Sequence, residues 1–457
     1  MYIEQLYTNC LAQACYYVES EGEAAVIDPL RDPEPYLTIL EQRKANLKYI
    51  FETHFHADFV SGHLDLERQT GAEIIFGPEA NPKYNATVAK HEQKFQLGKI
   101  ELNVLHTPGH TIESICILLI DETGKKHAIF TGDTLFVGDV GRPDLMSGDK
   151  SSWELASLLF DSINNIIKKL PEDIIIYPGH GSGSLCGKNI GFEKWTTLKE
   201  QLSNNYALKE ESKEEFIRKV RKDLPVPPAY FFEDASINIT GYESFDQILN
   251  RSLKPLNEFD FQYYLAKEAV ILDTRPPHLF DLGFIKGSIN IGLNGDFAPW
   301  VGSLIDFTQP LLIIAEEGKE KEVLTRLSRI GYDVVIGYLE GGINAWKSVG
   351  NNVDMIETID AFDFCYLYDT REYTIIDVRN DHEVTKEKVL SAIHIPLSGF
   401  IKKIEDLDKN EKYIIYCAGG YRSMIAASLM KRKGFNNIMN VSGGIIHLKQ
   451  AVPALIN

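Results

Sequence analysis

ETHFHADFVSGH, residues 52–63, packs three histidines, two acids and two phenylalanines into twelve positions. It follows the apolar, strand-like run LKYIF, residues 47–51. His54 and His56 alternate, and Asp58 stands two residues further on. Imidazole and carboxylate are ligands of Zn, Fe and Mn. A buried strand emptying into such a loop delivers these groups at its C-terminal end. A metal-binding loop of this kind usually continues with a histidine after the aspartate, and here that position is Phe59.

The pattern recurs along the first 200 residues. EAAVIDP (23–29), AEIIFG (72–77), IELNVLHTPGH (100–110), HAIFTGD (127–133) and DIIIYPGH (173–180) are apolar runs that end in polar residues or glycine. They predict buried strands that place His110, Asp133 and His180 at strand ends. One isolated histidine is more often a packed core residue than a ligand. Four separate strand ends that each carry His or Asp have no such packing explanation. SSWELASLLFDSINNIIKKL (151–170) has helical periodicity and a serine start. Residues 200–250 are polar and predict mostly helix, and LPVPPAYF (224–231) is a rigid, proline-rich segment in this tail of the first domain.

The 457 residues suffice for three domains at roughly 150 residues each. With 44% apolar and 25% charged residues the chain has an ordinary globular composition. A formal charge of −18 argues against nucleic acid and anionic membrane surfaces as partners. The first residues, MYIEQLYTNCLAQACYYVE, lack the basic and apolar regions of a signal peptide. No apolar run reaches membrane-spanning length. Six sparse, irregularly spaced cysteines do not form a disulfide framework, so the expected compartment is the reducing cytoplasm. Cys10, Cys15, Cys116 and Cys365 read as ordinary thiols, whereas Cys186 and Cys417 sit in glycine-rich loops.

A repeat begins near residue 255. EAVILDTRPPHLFDLGFIKGSINIGL (268–293) matches YTIIDVRNDHEVTKEKVLSAIHIPL (373–397), and YLEGGINAW (338–346) matches NVSGGIIHL (440–448). A period near 100 residues means two related domains rather than a solenoid. Strand–helix alternation in each predicts a small α/β domain with a parallel sheet. The expected domains are therefore 1–250, 255–352 and 358–457.

THFHAD (53–58), TPGH (107–110), TGD (131–133) and YPGH (177–180) together resemble the metallo-β-lactamase superfamily over roughly the first 250 residues. The resemblance implies an αββα sandwich with metal ligands in loops at one sheet edge. Two-metal members such as glyoxalase II bind a second ion partly through the histidine that Phe59 replaces. A single metal is therefore expected, as in the persulfide dioxygenase branch, with one Fe(II) per chain. By motif position its ligands are His54, His110 and Asp133, a facial triad that leaves positions open for O₂ and a persulfide sulfur. His56, Asp58 and His180 then orient ligands or hydrogen-bond bound water or oxygen. The alternative is His56 as a ligand of a single zinc, which gives a thioester hydrolase. In GDVGRPD (138–144), Arg142 either grips a carboxylate or phosphate on the thiol carrier or forms an ion pair. In YPGHGSGSLCG (177–187), Cys186 reads as a buried thiol near the site, with a covalent role as the rival reading.

YIIYCAGGYRS (413–423) runs an apolar strand into a cysteine and then a six-residue loop. Its backbone N–H groups and one guanidinium aim at the sulfur and favour the thiolate. With DVR (377–379) and SGG (442–444) it resembles the rhodanese family. That implies Cys417 as a sulfur carrier, its persulfide cradled by Ala418, Gly419, Gly420, Tyr421, Arg422 and Ser423. The middle copy has Ala315 at this point, followed by Glu316 and Glu317, and is expected to be inactive. The two resemblances together imply a fused enzyme acting in sulfide detoxification. It would take a low-molecular-weight thiol persulfide (of glutathione, coenzyme A or similar) and O₂, release sulfite and thiol, and make or use thiosulfate through Cys417. They also imply self-association of the chain. A sulfur-relay protein without catalysis at the metal site is the remaining alternative.

Overall fold

Apolar runs with period-two alternation build the first half of the molecule. The computed structural model describes residues 1–145, 150–224 and 226–457. The chain divides into two compact units, residues 1–248 with 327–331 and residues 249–326 with 332–457.

The first unit holds two six-stranded mixed sheets. One runs, edge to edge, Tyr2–Thr8, Gln13–Ser20, Glu23–Ile27, Asn46–Phe51, Glu73–Phe76 and Thr87–Val88. The other runs Thr196–Thr197, Ile175–Pro178, Lys126–Gly132, Ile115–Ile120, Ile100–His106 and Lys94–Leu97. Inward side chains of both sheets share one core, including Tyr16, Val18, Ile27 and Phe51 from the first and Val104, Ile117 and Phe130 from the second. The Phe130 ring sits 4.9 Å from that of Tyr16 and 5.3 Å from that of Tyr177. Alternate residues of the same strands face outward under helices. Tyr17, Val26 and Ile50 pack with Tyr36 and Leu40 of helix Glu34–Arg43 and Leu66 of helix His63–Thr70. Leu118, Ile129 and Ile176 pack with Ala156, Leu159 and Ile163 of helix Ser152–Asn165 and Phe216 of helix Lys213–Arg221. Both faces of both sheets are therefore buried, and the layers are αββα.

Helix Ser152–Asn165 starts as expected, with Ser151 and Glu154 in a reciprocal capping box. It stops short of residue 170, and Ile167–Lys169 is a separate 3₁₀ turn. At the end of the proline-rich stretch, Tyr230 and Phe231 already begin helix Tyr230–Thr240 and are buried. Pro225 lies outside the described residues. Among the described residues no helix is long and apolar enough to cross a membrane.

The second unit contains two five-stranded, all-parallel sheets. Their orders are Pro255–Leu256, Val335–Leu339, Leu311–Ile314, Val270–Asp273, Ile289–Asn290 and Glu357–Ile359, Ile438–Val441, Lys412–Tyr416, Tyr373–Asp377, Ile393–His394. The order is the same in both, as the sequence repeat requires. In each copy the Asp-x-Arg pair closes on itself. Arg275 Nη2 meets Asp273 at 2.6 Å, and Arg379 Nη2 meets Asp377 at 2.7 Å. Both pairs are buried, so these residues pin the turn after the strand. The copies also meet each other. The Asn290 N–H donates to Ser428 Oγ at 3.0 Å, and Lys431 pairs with Asp354 at 3.1 Å.

Candidate functional site

The strand ends of the first unit gather His54, His110, His180, Asp58 and Asp133, all at most 4% exposed. Three of the histidines have their tautomer set by what Nδ1 touches. Thr53 Oγ1 donates its one proton to Asp28 Oδ2 at 2.9 Å and lies 3.0 Å from His54 Nδ1. That hydroxyl can only accept from His54, so Nδ1 carries the hydrogen. His110 Nδ1 donates to the Arg142 carbonyl at 2.8 Å, and His180 Nδ1 donates to the Ala12 carbonyl at 3.2 Å. In a neutral ring each Nε2 is then a lone pair, and all three face carboxylate oxygen. Asp133 Oδ2 lies 3.9 Å from His54 Nε2 and 3.4 Å from His110 Nε2, while Asp133 Oδ1 lies 3.6 Å from His180 Nε2. His54 Nε2, His180 Nε2 and both Asp133 oxygens have no hydrogen-bond partner. Lone pairs turned on a buried carboxylate repel unless a cation lies between them, so the donor set fits a metal ion. Burial, reinforced by the neighbouring imidazoles of His56, His110 and His180, pushes the His54 pKa well down and keeps the ring neutral.

His56 is turned to another purpose. Its Nε2 lies 3.1 Å from Asp28 Oδ1 and 3.3 Å from Glu52 Oε2. Burial alone would depress its pKa, but those two carboxylates outweigh it and raise it well above the usual value. Nε2 therefore faces the Asp28 and Glu52 carboxylates and groups with them rather than with His54, His110 and Asp133, although neither ring nitrogen makes a hydrogen bond. The Phe59 ring, fully buried, stacks on the imidazole at 4.2 Å between centroids. Asn238 holds the loop's backbone, its side-chain N–H₂ donating to the carbonyls of His56 and Phe59 at 2.8 Å each. Nothing in the spacing of residues 52–63 points to Asn238, nor to Asp28 and Glu52 as the partners of His56.

Gly141 lets the next loop cross the site, because a Cβ there would stand 1.9 Å from the Asp133 carbonyl oxygen. Arg142 follows. Its guanidinium is forked on Asp144 at 2.7 and 2.9 Å and also donates to the Leu185 carbonyl. Its backbone carbonyl is what orients His110. Cys186 is buried, and its thiol forms a compact group with Asp58 and His180. Burial, then Asp58 and Asp133, pushes its pKa well up. A cleft of about 240 Å³, lined by Tyr7, Pro178, His180, Ser182, Phe192 and Lys194 among others, leads to the His180 side of the cluster.

In the second unit Cys417 follows strand Lys412–Tyr416 and precedes helix Tyr421–Arg432. The Gly420 N–H donates to Cys417 Sγ at 3.1 Å, and the Ser423 hydroxyl reaches it at 3.4 Å. Gly420 has φ +99°, a left-handed conformation that glycine adopts without strain and that turns this N–H inward. The positive end of the helix faces the sulfur. Ala418 and Gly419 line the loop between strand and helix. Arg422 is forked on Glu383 at 2.6 and 2.8 Å rather than on the thiol. Tyr421 donates to the Gly292 carbonyl of the middle copy at 2.8 Å, and a Cβ on Gly295 would stand 2.4 Å from its ring. In the middle copy Ala315 follows strand Leu311–Ile314 with Glu316 and Glu317 exposed, so that loop holds no thiol.

The family description "Metallo-beta-lactamase superfamily" matches residues 8–180, and "Rhodanese-like domain" matches residues 261–349 and 366–451. A solved metallo-beta-lactamase of Staphylococcus aureus is 33% identical with a TM-score of 0.66, covering 74% of this chain and 98% of that one. Hydroxyacylglutathione hydrolase GloC of Haemophilus influenzae is 31% identical over 210 residues, 41% of this chain and 94% of the relative. The probable hydroxyacylglutathione hydrolase glo2 of Schizosaccharomyces pombe is 32% identical over 160 residues, and the chain spans 58% of its length. With two mixed sheets between helices and histidines and aspartates at their strand ends, these likenesses show that the chain belongs to the metallo-beta-lactamase superfamily, and that rhodanese-like domains follow its metal-binding half.

Proposed function

We propose that the chain is a non-haem Fe(II) persulfide dioxygenase joined to a sulfurtransferase. The observation that carries this reading is the diversion of His56. Its Nε2 faces Asp28 and Glu52 under the Phe59 ring, which leaves two imidazoles and one carboxylate, His54, His110 and Asp133, for the first metal position. Two histidines and a carboxylate with open positions suit a ferrous oxygenase better than a zinc hydrolase. One ferrous ion there supplies the activation of O₂ and of the persulfide's terminal sulfur.

The protein's own groups do the rest. Thr53 and the Arg142 carbonyl fix the two imidazoles. The cleft through Tyr7, Phe192 and Lys194 admits a thiol carrier of glutathione or coenzyme A type, and Lys194 offers a cation for its carboxylate or phosphate. The overall reaction balances as R–S–SH + O₂ + H₂O → R–SH + SO₃²⁻ + 2H⁺, with sulfane sulfur losing four electrons to O₂. At Cys417, the Gly420 N–H, the Ser423 hydroxyl and the helix terminus steady a persulfide. Attack by sulfite on its outer sulfur forms thiosulfate and returns the Cys417 thiolate, and the reverse step loads Cys417 from thiosulfate.

A second reading is a zinc thioester hydrolase, favoured by the names of the relatives. O₂ uptake by anaerobically iron-loaded protein given glutathione persulfide, with sulfite and thiosulfate quantified, decides between them. Rapid iron-dependent uptake is expected. No uptake with any thiol persulfide, and turnover only of a thioester with zinc, would establish the hydrolase.

A further inference from the structure

The groups that touch the Cys417 sulfur are neutral: the Gly420 N–H at 3.1 Å and the Ser423 hydroxyl at 3.4 Å. The loop CAGGYRS, 417–423, carries a single cation, Arg422. Both of its terminal nitrogens go to Glu383, Nη1 to Oε2 at 2.6 Å and Nη2 to Oε1 at 2.8 Å. This planar, two-bond grip is also the one a guanidinium offers to the oxygens of a sulfonate. Glu383 thus stands where an oxyanion would bind. It is held there from its own helix, because the Asn380 N–H donates to Glu383 Oε2 at 3.0 Å. A second carboxylate, Asp296 of the middle copy, also bears on Arg422.

The copy without a thiol shows what the pair is not for. Aligning Asp273–Arg275 with Asp377–Arg379 puts Leu279 opposite Glu383. Aligning Ala315 with Cys417 puts Glu320 opposite Arg422. The same sheet order forms there without the pair, so the fold does not require it. Arginine and glutamate are present together only beside the thiol.

We propose that Glu383 selects sulfur donors by charge: it withholds the Arg422 guanidinium from the donor, so that Cys417 takes sulfur from a thiol persulfide in preference to the thiosulfate dianion. The inference rests on the reading of Cys417 as a sulfur carrier. With a persulfide the step is R–S–SH + Cys417–S⁻ → Cys417–S–S⁻ + R–SH. With thiosulfate it is S₂O₃²⁻ + Cys417–S⁻ → Cys417–S–S⁻ + SO₃²⁻. In both, a bond forms between Cys417 Sγ and the sulfane sulfur, the donor's S–S bond breaks, and no outside oxidant is needed. The first brings one negative charge into the loop and the second brings three. Without a cation to offset them, like charges in a half-buried loop repel strongly. The same brake acts on sulfite as an acceptor, since the two directions of one exchange share a transition state.

The test times the loading of Cys417 in the full-length protein, stripped of metal so that oxidation is silent. Thiosulfate and glutathione persulfide are the donors, and the gain of one sulfur on the Cys417 peptide is followed by mass spectrometry. Glu383→Gln should speed loading from thiosulfate about tenfold and leave loading from the persulfide unchanged. Glu383→Asp, which keeps the charge, should keep the wild-type preference. The double variant Glu383→Gln with Arg422→Gln should return the thiosulfate rate to the wild-type level. An unchanged preference in Glu383→Gln, or an equal fall in both rates, overturns the proposal. The wild type gives a test that needs no variant. Salt screens repulsion, so raising potassium chloride to about 0.15 M should speed its loading from thiosulfate, and a slower rate overturns the proposal. No loading from either donor would instead overturn the carrier reading itself, and this inference with it.

Discussion

Thr53 decides which nitrogen of His54 is free, and it does so with one hydroxyl proton. Because that proton belongs to Asp28, the oxygen can only accept from Nδ1, and Nε2 is left for the proposed metal. Thr53→Val keeps the shape and removes the acceptor. Metal affinity at the first position should fall by about 10–100-fold, measured by competition with a chromophoric chelator. The histidines and the aspartates were legible in residues 52–63 and in the three later strand ends, whereas the part Thr53 plays was not. The destination of His56 was not. Alternation in H-x-H reads as two equal ligands, and only folding brings Asp28, from the end of the neighbouring strand Glu23–Ile27, beside its Nε2. The same holds for Asn238, which arrives from a distant helix with no spacing to announce it.

At the level of elements, Phe130 sits between Tyr16 and Tyr177 where the two sheets face each other. Phe130→Ala should destabilise the first unit by about 3–5 kcal/mol through lost burial and the cavity left behind. Calorimetry should show one transition lowered, with the other unmoved. In the second unit, burial raises the Glu383 carboxyl, but the Arg422 guanidinium and the Asn380 N–H outweigh it and hold its pKa down at about 2. A depressed acid stabilises the fold above its usual value of about 4.3 and loses that contribution as pH falls toward the folded value. The difference between wild type and Glu383→Gln should therefore be at most about 1 kcal/mol near neutrality, given solvent screening, and vanish only below about pH 2 in acid unfolding. The long strands and the capped helix Ser152–Asn165 were legible because apolar periodicity and a serine start mark them. Two-residue strands such as Thr87–Val88 and Thr196–Thr197 were not, since two residues carry no period and exist only through their neighbours in the sheet.

For the molecule as a whole, the proposed reading puts two chemistries in two units. Cys417→Ser should abolish transfer of sulfur from thiosulfate to an acceptor thiol while O₂ uptake persists. Removing metal with a chelator should do the opposite. Loss of both activities in a folded Cys417→Ser protein would refute separable sites. The repeat itself was plain in the sequence, down to the alanine that replaces cysteine in the middle copy. What the alignment of the copies concealed is that Tyr421, from the cysteine loop, is seated on Gly292 and against Gly295 of the copy without a thiol. The C-terminal rhodanese is therefore not a portable cassette. Anyone transplanting it into another protein as residues 358–457 would sever the tyrosine from its socket, so the unit to carry is the pair, and the silent partner persists as a buttress whose sequence is answerable to its neighbour's loop.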